Sequence, residues 1–154
     1  MEPYTQKVME LFRNPKNCRE IRNPSAIGKV GNPVCGDMLW IYILVEKKKG
    51  KHILKDVSFK SFGCVANITT SSVLTEMAKG KTIEDALKIS KDDIIKTLGG
   101  LPKIKYHCSL LAIEGLREAL YNYMKKENMP IPELLKKNHE TVQKELKCIV
   151  AKTS

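Results

Sequence analysis

Hydrophobic positions along the first third of the chain begin with a helical spacing and then lose it. One helical face collects Tyr4, Val8, Leu11 and Phe12. The run Asn14-Pro15-Lys16-Asn17 ends this predicted helix, because proline cannot continue it. Residues 13–36 then hold three prolines and little periodicity, so the sequence predicts a long loop there.

A two-residue period follows the loop and predicts a pair of strands. Residues 37–45 are rich in large apolar and β-branched side chains, which is typical of a buried strand. After the basic turn at 47–51, Ile53, Val57 and Phe59 alternate with mostly polar neighbours. These two segments predict an antiparallel hairpin with one apolar side. We expect the aromatic residues Trp40 and Tyr42 to be core residues rather than a stacking platform.

Helical spacing returns after Gly63-Cys64 and persists until Lys79-Gly80. Two short helices follow, each with a capping pattern in which Thr82 or Ser90 precedes an aspartate by three residues. A longer helix is predicted from Cys108, and an amphipathic stripe follows the proline-rich linker at 129–132. The order of elements predicts an α+β fold, in which a small antiparallel sheet packs against a layer of helices. We expect a domain at residues 1–125 and a C-terminal helical extension at 126–154.

Composition and charge narrow the class of protein. The chain has 154 residues, 42% of them hydrophobic, which suits one compact core. No apolar run approaches the roughly 20 residues that cross a bilayer, and the N-terminus does not resemble a secretory signal. We therefore expect a cytoplasmic protein with no membrane partner. The net charge of +10 suits nucleic acid, an anionic membrane surface or an acidic protein partner, but the lysine run at 47–51 is typical of a solvated turn. Nucleic acid binding is disfavoured, because no fold signature for it is recognisable.

The five cysteines, at positions 18, 35, 64, 108 and 148, carry the candidate chemistry. Their odd number and wide spacing argue against a disulfide framework. Cys35 precedes a predicted strand, whereas Cys64 and Cys108 lie where predicted helices begin. The N-terminus of a helix stabilises a thiolate, so we expect Cys64 and Cys108 to be activated. Cys18 and Cys148 are expected to be small buried hydrophobic residues.

The residues near these cysteines suggest the ligand set of a metal site. Without a CxxC pair, neither a zinc ribbon nor a stable ferredoxin-type cluster is favoured. Three thiolates with a carboxylate or an imidazole suit iron or zinc, and the hard oxygen of Asp37 would be a weak point in such a set. His107 is either a ligand or a structural histidine. The other two histidines, His52 and His139, are expected to be exposed.

Three motifs resemble the IscU/NifU N-terminal family of iron–sulfur cluster assembly scaffolds. They are Gly31-Asn32-Pro33-Val34-Cys35-Gly36-Asp37, Phe59-Lys60-Ser61-Phe62-Gly63-Cys64 and Lys105-Tyr106-His107-Cys108-Ser109-Leu110-Leu111-Ala112. They occur in the family's order, and the likeness extends from about Tyr4 to Tyr123.

The resemblance implies a scaffold rather than an enzyme. Such a protein accepts sulfur from a cysteine desulfurase and iron from a donor, assembles a transient [2Fe–2S] cluster, and transfers it to apo-proteins. Carried over by position, Cys35, Asp37, Cys64 and Cys108 would bind the cluster and the iron. His107 would be an alternative metal ligand, and Cys108 is the candidate acceptor of persulfide sulfur. Without a cluster, the same residues would hold zinc.

Two segments depart from the family pattern. The chaperone-recognition loop usually reads Leu-Pro-Pro-Val-Lys, but here it is Leu101-Pro102-Lys103-Ile104-Lys105, which weighs against a dedicated chaperone. The small turn that usually follows the second cysteine is replaced by Val65-Ala66-Asn67-Ile68-Thr69-Thr70. Three other functions stay open at this point: a zinc-stabilised interaction domain, a metal-free sulfur carrier or redox protein, and a basic nucleic-acid binder.

Overall fold

A computed structural model describes residues 4–153 of the chain, with side chains to residue 151. Its regular elements are α1 (Gln6–Arg13), β1 (Ala26–Gly31), β2 (Met38–Lys48), β3 (Lys51–Phe62), α2 (Val65–Ala78), α3 (Ile83–Ala86), α4 (Lys91–Thr97), a 3-10 turn (Lys103–Lys105), α5 (Tyr106–Lys126) and α6 (Glu133–Thr153). This part of the chain contains no helix whose length and apolar character would let it span a bilayer.

The three strands form one antiparallel sheet in the order β1-β2-β3, with β2 and β3 joined as the predicted hairpin. Alternate residues of the hairpin face the helices and are fully buried, among them Leu39, Ile41, Ile43, Val57 and Phe59. The helices pack against this inner face, with α5 lying along β1 and β2 and α2 along β3. The predicted α+β architecture is confirmed.

Helix α2 lies between the sheet and α5, so it is buried on nearly all sides. It fits there because most of its buried side chains are small. Thr69, Thr70 and Thr75 each donate to the backbone carbonyl four residues earlier in the same helix, whereas the buried Ser71 hydroxyl has no hydrogen-bond partner among the described residues. A buried hydroxyl needs such a partner to offset its lost hydration.

Strand β1 corrects the prediction of a loop over residues 13–36. Its pattern is hidden in the sequence because Gly28 and Gly31 occupy two of its three buried positions. The structure explains one of them. A Cβ atom at Gly28 would overlap the backbone of α5 at Gly115 and Ala119, so this glycine permits the close approach of strand and helix. A short strand with such glycines has too little apolar signal to be recognised.

Trp40 corrects a second prediction, since it lies on the outer face of the sheet and outside the buried core. The ring of Phe62 meets it edge-on, with ring centroids 5.6 Å apart. The Lys29 ammonium lies 5.8 Å from the Trp40 ring centroid on the same face. Tyr42, by contrast, is buried as predicted, with 7% of its surface exposed.

Helix α6 packs on α5 and on β1. Leu135 and Val142 have no exposed surface and belong to the same hydrophobic core as the sheet. The Ile149 side chain reaches Gly31, the last residue of β1, just before the loop that carries Cys35. The predicted extension is therefore helical and docked. Its separation from the first domain at residues 125 and 126 stays a prediction.

Two carboxyl groups, those of Glu114 on α5 and Glu145 on α6, lie close enough at the helix interface to repel each other. This repulsion predicts that the stability of the fold depends on pH. Burial first, and then the nearby carboxylate of Glu145, raise the pKa of Glu114 to about 7. The unfolded chain ionises this group near its ordinary value of 4.5. Between these values the folded state binds more protons, so the contribution of Glu114 to stability falls as pH rises towards 7.

Glu114→Gln removes the ionisation. We expect the variant to gain about 1 kcal/mol of unfolding free energy relative to wild type between pH 5 and pH 8, after discounting for solvent screening. Urea unfolding at both pH values measures this change. The exposed Glu140 on α6 provides the control variant Glu140→Gln, which should show no such change. A pH-independent difference for Glu114→Gln would contradict the prediction.

Candidate metal centre

Three chain segments meet at one end of the sheet: the loop before β2, the junction of β3 and α2, and the first turn of α5. Each supplies one side chain to a compact group. Ligand atoms of Asp37, Cys64 and Cys108 all lie within 4.8 Å of one another. In the described part of the chain, this is the one group of three or more possible ligands that is so compact.

The spacing of the two sulfur atoms fits a shared metal ion. Cys64 Sγ lies 3.7 Å from Cys108 Sγ. Two thiolates bound tetrahedrally at about 2.3 Å from one ion would be roughly 3.8 Å apart. The side chains therefore need little rearrangement to bind zinc or iron. The mixture of soft sulfur and hard oxygen donors also suits these metals better than calcium or magnesium.

The loop that carries Cys35 is shaped by Asn32. The Asn32 side-chain oxygen accepts hydrogen bonds from the backbone N–H groups of Val34, at 2.8 Å, and Cys35, at 3.4 Å. The Asn32 backbone also bonds to Gly36 and Asp37, which closes the loop. Gly36 has φ +77°, a conformation that favours glycine. This local geometry places Cys35 and Asp37 at the start of β2.

Cys35 and His107 extend the compact group towards the surface. The Cys35 side chain is exposed, and its Sγ lies 3.9 Å from His107 Nε2. The same nitrogen lies 3.5 Å from Cys108 Sγ. All five residues singled out in the sequence therefore meet at one place. Asp37, Cys64 and Cys108 form the inner group, and Cys35 reaches it through His107.

The two closest thiols share one proton unequally. The Cys108 S–H group donates to Cys64, and this hydrogen bond is the main reason that the pKa of Cys64 falls to about 6. Burial and the Asp37 carboxylate oppose the shift, while the backbone N–H of Asn67 and the Lys105 ammonium favour it. Cys64 also caps the N-terminus of α2. Its predicted activation agrees with this environment.

Cys108 has the opposite environment, so its predicted activation is wrong. The same hydrogen bond to Cys64, followed by burial and the neighbouring negative charges, raises the pKa of Cys108. Only 1% of this residue is exposed. The Cys64 thiolate in turn raises the pKa of Lys105. These interactions favour a thiolate at Cys64 and a thiol at Cys108, and they attract the Lys105 ammonium to the pair.

The two remaining cysteines and the two remaining histidines differ from their predicted exposure. Cys18 and Cys148 are exposed rather than buried, and both lie outside the metal group. His52 is half-buried, with Nδ1 2.8 Å from the Tyr123 hydroxyl. His139 is also half-buried; its Nδ1 lies 2.8 Å from a Glu118 carboxylate oxygen, and its ring stacks on Tyr121. Their polar sequence neighbours had suggested exposure, but these partners come from distant positions.

One buried polar residue at the site was not assigned from the sequence. Asn67 lies in the first turn of α2 and is 1% exposed. Its side chain contacts both Asp37 and Ser61. The sequence shows only that Asn67 falls in a segment that differs from the usual small turn. Its proximity to Asp37, thirty residues earlier, appears only in the folded chain.

The unequal thiol pair makes a prediction for the metal-free protein. Alkylation of Cys64 by iodoacetamide should follow the thiolate fraction, with its midpoint near pH 6. Peptide mass spectrometry measures this rate from pH 5 to 9, with the exposed Cys148 in the same sample as reference.

Cys108→Ala removes the donor that stabilises the thiolate. The Cys64 midpoint should then move upward, towards the ordinary thiol value of about 8.5. An unchanged midpoint in Cys108→Ala would show that the S–H group of Cys108 does not determine the acidity of Cys64.

Comparisons with known proteins identify the family to which the chain is similar. The family described as "NifU-like N terminal domain" matches residues 3–130. Two proteins of Archaeoglobus fulgidus, named iron-sulfur cluster assembly scaffold proteins IscU 1 and IscU 2, are each 49% identical over 144 residues, which is 92% of this chain and of each relative. The Aquifex aeolicus scaffold protein IscU is 42% identical over 80% of this chain and 78% of its own.

A longer relative and a solved structure complete the comparison. The nitrogen fixation protein NifU of Trichormus azollae is 46% identical over 80% of this chain, but the match spans only 42% of that protein. The crystal structure of a NifU-like protein (N-terminal) from Brucella abortus superposes with a TM-score of 0.58 over 79% of this chain and 94% of the other. At 18% identity, that likeness supports the fold alone.

Proposed function

This chain belongs to the family of NifU-like N-terminal domains, and we propose that, as an iron–sulfur cluster assembly scaffold, it builds a transient [2Fe–2S] cluster and transfers it to apo-proteins. The observation that carries the proposal is the meeting of Asp37, Cys64 and Cys108 within 4.8 Å, with Cys35 and His107 beside them. Family membership alone would not require this chain to keep a working ligand set.

In the proposed site, Cys35, Asp37, Cys64 and Cys108 bind the cluster, and His107 is an alternative ligand. Its Nε2 lies 3.9 Å from Cys35 Sγ and 3.5 Å from Cys108 Sγ, so it can replace a neighbour with little movement. Neutral imidazole is a common ligand of both iron and zinc. In the absence of a cluster, the inner group holds zinc. Cluster binding uses the protein as a platform, and we assign no enzymatic reaction to it.

Sulfur would arrive as persulfide from a cysteine desulfurase. Cys108 is the proposed acceptor, but it must first lose its proton to attack the sulfane sulfur. The Cys64 thiolate, 3.7 Å away, is placed to take that proton. Attack forms the new S–S bond at Cys108 and releases the desulfurase thiolate. A dithiol reductant then cleaves the Cys108 persulfide, which releases the sulfane sulfur as sulfide, regenerates the Cys108 thiolate and oxidises the dithiol to a disulfide.

The surface around the site fits docking of the desulfurase and of client proteins. Two large apolar residues are exposed there: Val34, which precedes Cys35, is 91% exposed, and Ile104 is 79% exposed. Lys103 and Lys105 flank Ile104, so the surface combines apolar and cationic character. We propose that it receives acidic partner surfaces. A dedicated chaperone remains outside the proposal, because the loop at 101–105 lacks the second proline of the family pattern.

Asp37 provides the test of transfer. Its carboxylate is a hard, exchangeable ligand among soft thiolates, so a receiving protein can displace it most easily. Asp37→Ala should assemble a cluster and release it several-fold more slowly than wild type. The measurement is the rate of cluster transfer to an apo-ferredoxin, at matched cluster loading under anaerobic conditions.

The alternative role for Asp37 is to stabilise the loop before β2, where its backbone C=O accepts from Asn32. The exposed Asp92→Ala, in the first turn of α4, is a control for loss of a carboxylate elsewhere. If Asp37→Ala transfers at the wild-type rate and only loses stability, its role is structural. If wild type assembles no cluster, the proposed function itself fails.

A further inference from the structure

Asn67 is a buried polar side chain that the ligand set does not use. Only 1% of its surface is exposed, although it lies beside the half-buried Asp37. Burying an amide is costly unless its donors and acceptors have partners. Its contacts therefore indicate what holds it there.

The orientation of the Asn67 amide follows from its two partners. Asp37, when ionised, can only accept hydrogen bonds, so the amide nitrogen must face it. Asn67 Nδ2 lies 3.4 Å from Asp37 Oδ2, at the long end of hydrogen-bonding range. On the other side, the Ser61 hydroxyl donates to Asn67 Oδ1 at 3.0 Å. The amide therefore connects the end of β3 to the carboxylate.

The backbone leaves space for this connection at Gly63. A Cβ atom there would overlap the Asn67 amide nitrogen and would lie 2.9 Å from Asp37 Cγ. The absence of a side chain at Gly63 thus allows the amide and the carboxylate to meet next to Cys64. In addition, the backbone N–H of Asn67 helps to stabilise the Cys64 thiolate.

We propose that Asn67 is a positioning residue that holds the Asp37 carboxylate at the metal, and that Ser61 anchors it. The Asn67 contact uses Asp37 Oδ2. A carboxylate can bind a metal through a single oxygen, so Asp37 Oδ1 remains available as the ligand atom. Groups that orient a ligand in this way commonly change metal affinity by about 10- to 100-fold when they are removed. The inference depends on the proposed role of Asp37 as a ligand.

The consequence concerns the lifetime of the bound metal. Asp37 is the hard and most easily displaced member of the set, so an amide that restrains it slows its departure. Asn67 would then determine how readily this weak point opens. Asn67 lies in the segment 65–70, which differs from the usual small turn of the family.

The test measures zinc affinity by competition with a chelator, which requires no cluster chemistry. Asn67→Ala should bind zinc about tenfold more weakly than wild type. Ser61→Ala, which leaves Asn67 in place without its anchor, should change affinity in the same direction but less. Thr69→Ala is the matched control, because it removes a fully buried hydroxyl of α2 that bonds only to its own helix. Its affinity should match wild type.

A double variant separates positioning from a general loss of structure. If Asn67 acts through Asp37, adding Asn67→Ala to Asp37→Ala should produce no further loss of zinc affinity. An equal further loss in the Asp37→Ala background, or wild-type affinity in folded Asn67→Ala, overturns the proposal. If Asn67→Ala does not fold, Ser61→Ala takes its place, alone and combined with Asp37→Ala. A wild-type zinc affinity in Ser61→Ala also overturns the proposal.

Cluster transfer gives a separate readout. Asn67→Ala should release its cluster to apo-ferredoxin faster than wild type, in the direction opposite to that expected for Asp37→Ala. If wild type assembles no cluster but the zinc affinities follow the predicted pattern, the proposed function fails and the positioning role of Asn67 stands. If wild type assembles a normal cluster but the variants keep wild-type zinc affinity, the proposed function stands and the positioning role of Asn67 fails.

Discussion

The contact between the sulfur atoms of Cys64 and Cys108 is the constraint on which the site depends. It joins the N-cap residue of α2 to the first turn of α5, and both helices pack on the same face of the sheet. A second contact supports it, since the buried Thr70 Oγ1 lies 3.3 Å from the Cys108 carbonyl oxygen. The packing of α2 between the sheet and α5 therefore sets the sulfur–sulfur distance. The small buried side chains on α2 make this packing possible.

The same arrangement produces a gradient of exposure across the ligand set. Cys108 is buried, Cys64 and Asp37 are half-buried, and Cys35 is exposed on a loop closed by Asn32. A metal would thus be bound on the protein side by Cys108 and Cys64. On the solvent side it would be accessible next to the exposed Cys35 loop. Such an asymmetric site suits cargo that must be accepted and released.

Much of this was predictable from the sequence because the motifs are local. Cys35, Cys64 and Cys108 each lie beside a glycine or at a helix start, and the hairpin and caps follow from periodicity. Strand β1 was missed because Gly28 is required by the close approach of α5 and not by the hydrophobic pattern of its own strand. The protonated state of Cys108 and the role proposed for Asn67 depend on partners 44 and 30 residues away. Local pattern cannot encode such pairs, and the exposed positions of Cys18 and Cys148 show the same limit.

Anaerobic reconstitution with ferrous iron, cysteine, a cysteine desulfurase and a dithiol reductant tests the central claim most directly. Visible absorption, Mössbauer spectra and counts of iron and acid-labile sulfide should show a [2Fe–2S] cluster with iron and sulfide in equal amounts on wild type. Cys148→Ala, which alters an exposed cysteine outside the site, should match wild type, and Cys64→Ala should hold no stable cluster. A full cluster on Cys64→Ala, or metal without sulfide on wild type, would contradict the account.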